Sequence, residues 1–143
     1  MKREYPNAPL PGVGAVILEG GRVVVVKRGT PPLQGEWSIP GGVLELGETL
    51  RAAAVREALE ETGLTVEPGE ILGVYDRIVR DPEGRIRFHY VLVDFLCRRV
   101  SGELSAGHDA ADARWVTDQE LVKLKMAKET EELLQKVLRE ARG

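Results

Sequence analysis

The sequence predicts a domain of the mixed α/β (α+β) class, with helices packed on a sheet built largely from two hairpins. Three observations support this. Two pairs of strand-like segments each enclose a tight-turn signal, a helix-like segment lies mid-chain, and another helix-like segment lies near the C-terminal end. Because such strands and helices must bury their apolar faces against each other, they imply a mixed β-sheet that carries helices.

Length and composition predict one domain covering residues 1–143, with a core that needs no disulfide. The formal net charge of −3 argues against a nucleic-acid polymer as the main partner. Cys97 is the single cysteine, and the sequence shows no signal-peptide pattern and no apolar run of membrane-spanning length. We therefore expect a cytoplasmic protein that does not act in a membrane.

The N-terminal part predicts an arm followed by a hairpin. Met1–Pro11 contains three prolines, which favours an irregular arm or edge segment. Val13–Leu18 and Arg22–Arg28 are strand-like and flank Gly20-Gly21, a pair suited to a tight turn. Thr30–Gly35, with Pro31-Pro32, predicts a loop.

The middle of the chain predicts a helix over Leu50–Thr62, because Ala, Leu, Glu and Arg dominate it and Gly63 follows where a left-handed cap prefers glycine. At about 100° per residue, one side of this helix carries Val55, Ala58, Leu59 and Thr62. The other side carries Glu57, Glu60 and Glu61, with the small Ala53 between them.

Three glutamates on one helical face repel each other, at a cost of about 0.2–0.5 kcal/mol per pair in an isolated helix. A positive group is therefore expected beside them. One alternative is a salt-bridged surface helix in which Arg56 reaches Glu60. The other is a hard divalent cation, because clustered carboxylates without thiols suit Mg²⁺ or Mn²⁺.

A second hairpin follows the helix. Ile71–Arg80 and Arg85–Arg99 are strand-like, and the turn signal Asp81-Pro82-Glu83-Gly84 lies between them. Ser101–Ala113 is rich in Gly, Ala and Asp and predicts a loop before a short strand at Arg114–Val116.

Two helices are predicted at the C-terminal end. Thr117 and Glu120 match a capping box, so one helix begins near Asp118. The other spans Lys128–Ala141 and carries an apolar stripe of Leu133, Leu134, Val137 and Leu138. Such a stripe serves core packing or a dimer face, so a homodimer stays an open alternative.

The segment Gly42–Leu64 resembles the complete Nudix box, and the Pro40-Gly41-Gly42 entry precedes it. Every fixed position of that box is filled in order: Gly42, Glu48, Arg56-Glu57, Ala58, Glu60-Glu61, Gly63 and Leu64. The resemblance implies the α/β/α sandwich of that family with its mixed sheet. It also implies an Mg²⁺-dependent hydrolase, with Mn²⁺ as a substitute, that cleaves a nucleoside diphosphate linked to another group X.

The resemblance also implies roles for individual residues. Glu57, Glu60 and Glu61 match the family's metal-binding glutamates, and Gly42 contributes a backbone carbonyl oxygen. Glu48 and Arg56 are implied as supporting catalytic groups, since a guanidinium can hold a carboxylate bidentately and fix the loop against the helix.

Nudix enzymes often take a further catalytic acid from a loop outside the box, which points here to Ser101–Ala113. Asp109 lies six residues before Trp115 and is predicted to be the general base or an extra metal ligand. Asp112 and Glu103 are the alternatives, and His108 is a base that needs no carboxylate.

Three further residues are candidates for substrate binding. Arg28 either projects toward a phosphate or caps a strand end in solvent. Trp37 either stacks on the substrate or packs in the core. Arg77, near the second hairpin turn, either steers an anionic substrate or protects an exposed ribbon from aggregation.

The resemblance leaves the substrate open among nucleotide-type small molecules. The arm at Tyr5-Pro6, the Gly35-Glu36-Trp37 entry and the second hairpin turn are most similar to compact ADP-ribose pyrophosphatases. ADP-ribose or a similar derivative is therefore favoured. The alternatives are a hydrolase of oxidised or canonical nucleoside triphosphates and, in another class, a non-catalytic nucleotide-sensing module, against which the intact box argues.

Overall fold

A computed structural model describes residues 2–30 and 33–143. Its strands are β1 Leu10–Glu19, β2 Arg22–Arg28, β3 Trp37–Ser38, β4 Gly41–Val43, β5 Thr65–Arg80, β6 Ile86–Ser101 and β7 Ala110–Val116. Its helices are α1 Leu50–Thr62, α2 Asp118–Leu121 and α3 Lys128–Arg142. Pro31 and Pro32, in the loop predicted at Thr30–Gly35, lie outside the described residues.

The strands form one mixed sheet in the order β3-β2-β1-β6-β5, with β4 also paired to β1 and β7 to β2. β1 and β6 run parallel, whereas the other pairs are antiparallel. The middle of β1 therefore has β4 on one side and β6 on the other. This mixed sheet confirms the predicted class.

Two cores lie on the two faces of the sheet, which gives the α/β/α layering. On one face, α1 packs through Ala53, Ala54 and Ala58 against β1 and β6. On the other, α2 and α3 contribute Leu121, Leu134, Val137 and Leu138. The predicted stripe of α3 therefore packs in the core, apart from Leu133, which is partly buried.

α1 has the predicted limits. The Thr49 side chain accepts a hydrogen bond from the Ala52 N–H, and Gly63 ends the helix at φ 73°. Of the side that carries Leu59, Ala58 and Thr62 are buried, whereas Leu59 is 50% exposed. Ala53, which lies between the glutamates, is fully buried. Alanine contacts let the helix lie close to the sheet, and this brings its glutamates to the level of β4.

Several boundaries differ from the prediction. β5 begins at Thr65, because residues before Ile71 pair with the extended end of β6. β7 begins at Ala110, inside the segment predicted as a loop, because it pairs with β2. β4 lies in the Gly-Gly segment, where only pairing with β1 overrides the low strand preference of glycine. The capping box of α2 is confirmed.

The N-terminal arm is irregular and docks on the tip of the β5–β6 hairpin. The Tyr5 N–H donates to the Arg87 carbonyl at 2.7 Å, and the Tyr5 hydroxyl donates to Asp81 at 2.9 Å. Arg87 also pairs with Glu4 at 2.7 Å. These contacts fix the path of the chain between residue 2 and the start of β1.

Asp94 interrupts the apolar stretch of β6. Its side chain is half-buried, and among the described residues no hydrogen bond or ion pair reaches its carboxylate. Burial raises the pKa of Asp94 to about 6, as expected for a charge that loses water without gaining a partner. The neighbouring titratable group is Tyr75 on β5, whose pKa is raised first by burial and then by the charge of Asp94.

Replacing Asp94 by Asn is expected to raise the melting temperature at about pH 7.5 and to raise it less at about pH 5. The folded state holds the Asp94 proton more tightly than the unfolded chain does, so ionisation costs stability as the pH rises through the folded pKa. That cost fades when the pH falls. Thermal melting of the wild-type protein and of Asp94→Asn at the two pH values measures this cost. An increase in melting temperature that does not depend on pH would contradict an unpartnered, half-buried carboxylate at Asp94.

None of the helices in the described ranges is both long and apolar enough to cross a membrane.

Candidate active site

The site is built on the free edge of β4. Two backbone hydrogen bonds fix its register against β1, from Ala15 N to Pro40 O at 2.8 Å and from Leu44 N to Pro11 O at 3.0 Å. Hydrogen-bonded pairs alternate along an antiparallel ladder, so the backbone N–H and C=O groups of Gly42 bond to those of Val13, its partner between these two contacts. The backbone groups of Gly41 and Val43 therefore point to the free edge.

Two glutamates of α1 meet this edge. The Gly41 N–H donates to Oε2 of Glu61 at 3.2 Å. A Cβ on Gly42 would stand 2.5 Å from Oε1 of Glu57, so glycine at this position leaves the space that the Glu57 carboxylate occupies. The Glu57 carboxylate also lies near enough to Glu61 for its charge to act on that carboxyl group.

This pairing changes the protonation of Glu61. Burial, and then the charge of Glu57, raise the pKa of Glu61 to about 8, although the Gly41 N–H and the charge of Arg28 act in the opposite direction. Glu61 therefore keeps its proton at neutral pH. A divalent cation in place of that proton would relieve the same repulsion.

Arg56 gathers the other acidic groups. It donates to Glu48 through Nε at 2.7 Å and through Nη2 at 2.9 Å, which is the bidentate contact implied by the Nudix resemblance. It also donates to Glu57 at 2.8 Å, to Glu60 at 3.3 Å and to the Val43 carbonyl at 3.2 Å. The hydrogen bonds from Arg56 lower the pKa of Glu48, which stays ionised at neutral pH.

The carboxylates fit a divalent cation in part. Oxygen donors from Glu57 and Glu61 lie together and suit Mg²⁺ or Mn²⁺. Glu60 instead contacts Arg56, and no group of three or more His, Cys, Asp or Glu side chains in the described ranges is close enough to hold an ion. The Arg56–Glu60 contact supports the salt-bridge alternative on this helical face, and the metal site stays a prediction.

The backbone carbonyls of Gly42 and Gly41 point to opposite sides of β4. The Gly42 carbonyl lies in the ladder with β1, which leaves its predicted metal contact without support from the geometry. The Gly41 carbonyl lies at the free edge beside Glu61. The Pro40-Gly41-Gly42 motif is visible in the sequence, but the choice between its glycines depends on strand register, which the sequence does not show.

A cleft of about 400 Å³ opens beside these groups. Its lining residues come from the arm, from β1, from β4 and the loop after it, and from α1: Arg3, Leu10, Val43, Leu44, Glu45, Leu46, Arg56 and Glu57. No sequence signal marks Arg3 as a neighbour of the Nudix segment, because its position depends on the docking of the arm.

The loop with the predicted base packs on the end of α1. The Gly107 N–H donates to the Glu61 carbonyl at 3.1 Å, and the Gly29 N–H donates to the Asp109 carbonyl at 2.8 Å. The Asp109 side chain is exposed. Asp112 instead accepts hydrogen bonds from the Ala113 N–H at 2.8 Å and from Arg114 at 3.0 Å, as a structural residue would.

The predicted substrate-binding residues are dispersed. Arg28 lies near enough to Glu61 for its positive charge to offset part of the rise in the pKa of Glu61. Trp37 is only 6% exposed and packs in the core beneath Arg114, which favours the core-packing alternative. Arg77 is exposed on β5, opposite Tyr90.

The fold and the site define an α/β/α sandwich with paired acidic side chains at the edge of a short glycine-containing strand, and comparison with known proteins specifies the family. The family model of the NUDIX domain matches residues 8–137. The chain therefore belongs to the NUDIX family, whose hydrolases act on pyrophosphate bonds and generally use divalent metals such as Mg²⁺.

Relatives of this chain carry different activities in their names. An ADP-ribose pyrophosphatase of Methanocaldococcus jannaschii is 38% identical over 81% of this chain and 66% of its own length. A putative 8-oxo-dGTP diphosphatase of Bacillus subtilis is 34% identical over 71% of this chain and 62% of its own length. This chain thus spans about two thirds of each protein's length.

Solved structures agree on the fold. The MutT NUDIX hydrolase of Burkholderia pseudomallei superimposes with a TM-score of 0.78 at 28% identity, over 92% of this chain and 99% of that one. The Nudix α/β/α sandwich expected from the sequence is confirmed.

Proposed function

We propose that this protein hydrolyses a nucleoside diphosphate linked to another group X, with ADP-ribose or a similar nucleotide derivative as the favoured substrate. The observation that carries the proposal is the Glu57–Glu61 pair at the free edge of β4, beside a cleft that also contains Arg56. A partly buried pair of acidic side chains costs stability, which a purely structural helix has no need to bear.

Glu57 and Glu61 are the residues that would hold a divalent cation, with the Gly41 carbonyl next to them and Glu60 as the further ligand expected from the Nudix resemblance. Such a cation neutralises phosphate oxygens and lowers the pKa of a bound water. Arg56 holds Glu57 and Glu48 in place, and Glu48 in turn fixes the loop through the Glu45 N–H at 3.1 Å. Asp109 is proposed to accept the proton of the attacking water.

The preference for ADP-ribose is supported by the name of the M. jannaschii relative, which is 38% identical. The second candidate is a hydrolase of oxidised nucleoside triphosphates, supported by the name of the B. subtilis relative. The cleft near Arg56 suits the phosphate part of either substrate and does not separate them.

A substrate panel with Mg²⁺ or Mn²⁺ tests the proposal. It should contain ADP-ribose, nucleotide sugars, dinucleotides, dinucleoside polyphosphates, and canonical and oxidised nucleoside triphosphates. We expect release of AMP and ribose 5-phosphate from ADP-ribose as the fastest reaction. Faster release of pyrophosphate from a triphosphate would favour the second candidate, and no hydrolysis of any compound would overturn the proposal in favour of a sensing module.

Asp109→Asn is expected to lower kcat on the order of a hundredfold with little change in KM, because a general base contributes to the transition state more than to substrate binding. Asp112→Asn is the matched control, since the Asp112 carboxylate is engaged by Ala113 and Arg114. Steady-state kinetics on the best substrate of the panel measures both. Equal and mild effects would place the base elsewhere, most simply among the Nudix glutamates.

A further inference from the structure

Asp94 lies in a hollow that glycines create on the sheet face opposite α1. Its neighbours in register are Gly14 on β1 and Gly73 on β5. A Cβ on Gly14 would collide with the Asp94 carboxylate and with the side chain of Ile39. The carboxylate therefore occupies room that any larger residue at Gly14 would remove.

The hollow has an aromatic wall. A Cβ on Gly73 would collide with the Tyr75 hydroxyl, so the Tyr75 ring lies across the position where a side chain at Gly73 would stand. Tyr75 is 40% exposed, which leaves part of its surface open to solvent. An acceptor beside a half-exposed aromatic ring suits a flat ligand that carries a hydrogen-bond donor.

The Asp94 carboxylate lacks a partner of its own. Buried polar groups in folded proteins are almost always hydrogen-bonded, and a half-buried carboxylate left unpaired costs stability. Among the described residues, neither hydrogen bond nor ion pair satisfies it. The arrangement is typical of a group whose partner is a ligand.

The hollow lies two residues along β1 from the cleft of the candidate active site, since Gly12 pairs with the cleft residue Val43 on the same sheet face as Asp94. Gly14 pairs with Asp94 on one side and with Gly41, which meets Glu61, on the other. Two strand spacings, or about 10 Å, therefore separate Asp94 from Gly41. That length is comparable with the span from a diphosphate to the far edge of its nucleobase.

We propose that Asp94 accepts a hydrogen bond from an exocyclic amino group of the substrate's nucleobase and thereby selects an aminopurine, with adenine as the simplest case. The inference rests on the proposed function, because it places the diphosphate at Glu57 and Glu61. An ionised carboxylate can only accept, so a base without a donor at this point leaves Asp94 unpaired. A site built around a hydrogen bond rejects an analogue that lacks the matching group.

Binding of two product-like nucleotides tests the inference without requiring hydrolysis. AMP and purine riboside 5′-monophosphate differ only in the amino group of the base. We expect the wild-type protein to bind AMP at least about tenfold more tightly, measured by calorimetry. In Asp94→Ala the AMP affinity should fall until the ratio approaches one. Asp76→Ala is the matched control, since Asp76 is exposed on β5 and lies on the other sheet face.

Three results would overturn the inference: equal binding of both nucleotides by the wild-type protein, a ratio that survives in Asp94→Ala, or no measurable binding of AMP at millimolar concentration. If the ratio survives because both affinities fall equally, Asp94 acts on the sugar or the fold and not on the base. A melting temperature of Asp94→Ala at or above the wild-type value shows that folding is intact. If the ratio behaves as expected but ADP-ribose is not cleaved, only the proposed hydrolysis fails.

Discussion

Glu57→Gln and Glu61→Gln are each expected to lower kcat at least about tenfold at saturating Mg²⁺. Both carboxyl groups meet at the β4 edge, where burial and then the charge of Glu57 raise the pKa of Glu61 to about 8. A cation bound there would relieve the repulsion between the two groups. Replacing either glutamate by glutamine removes a negative charge that would attract the cation. The kcat of each variant on the best substrate of the panel measures the effect.

Thermal melting gives a second readout for the same variants. A ligand that binds only the folded state stabilises it by RT ln(1 + [L]/Kd). Millimolar Mg²⁺ or Mn²⁺ should therefore raise the melting temperature of the wild-type protein more than that of Glu61→Gln. Glu67→Gln is the control, because Glu67 is exposed and, among the described residues, forms an ion pair only with the exposed Arg98. Wild-type kcat and metal response in Glu61→Gln would contradict the assignment.

Glu60→Gln decides between the two interpretations of the third glutamate. If Glu60 binds metal during the reaction, as the Nudix resemblance implies, its loss should also cost at least about tenfold in kcat. If it only pairs with Arg56 at 3.3 Å, the cost should be small, because i,i+4 ion pairs contribute only about 0.3–0.5 kcal/mol.

Local signals in the sequence predicted the elements of the fold well. The limits of α1 depend on its composition and on Gly63, and the start of α2 depends on the Thr117–Glu120 capping box, so both could be derived from a few adjacent residues. β4 could not be derived in this way, because it contains two glycines and forms a strand only through its pairing with β1. The burial of Ala53 and the exposure of Leu59 could not be derived either, because they depend on how closely the helix packs on the sheet.

In the candidate site, too, the sequence predicted what depends on local spacing and not what depends on tertiary contacts. The spacing of the glutamates placed them on one helical face, but the partner of each one depends on tertiary contacts. Glu61 meets the Gly41 N–H, whereas Glu60 meets Arg56. Asp94 was visible as a polar residue in an apolar strand, yet its lack of a partner depends on the packing around it.

Arg56→Gln is expected to lower the free energy of unfolding by about 2 kcal/mol in metal-free protein. Breaking a fully buried ion pair costs about 3–5 kcal/mol, and the partial exposure of this one reduces the effect. The Arg56 side chain is 22% exposed and that of Glu48 is 14% exposed. Its loss leaves Glu48, Glu57 and the Val43 carbonyl without their shared donor. Urea unfolding in the presence of a chelator measures the change.

Arg98→Gln is the matched control, because Arg98 also pairs with a glutamate but both partners are about two thirds exposed, at 67% and 66%. Exposed pairs contribute about 0–1 kcal/mol, so this variant should unfold almost as the wild-type protein does. Arg56→Lys adds a further distinction, since an ammonium cannot make the bidentate contact and should restore only part of the loss. Equal stability of the two Gln variants would show that Arg56 contributes no more than a surface ion pair. A deficit confined to Arg56→Gln, accompanied by a lower kcat, would show that it holds the glutamates in place.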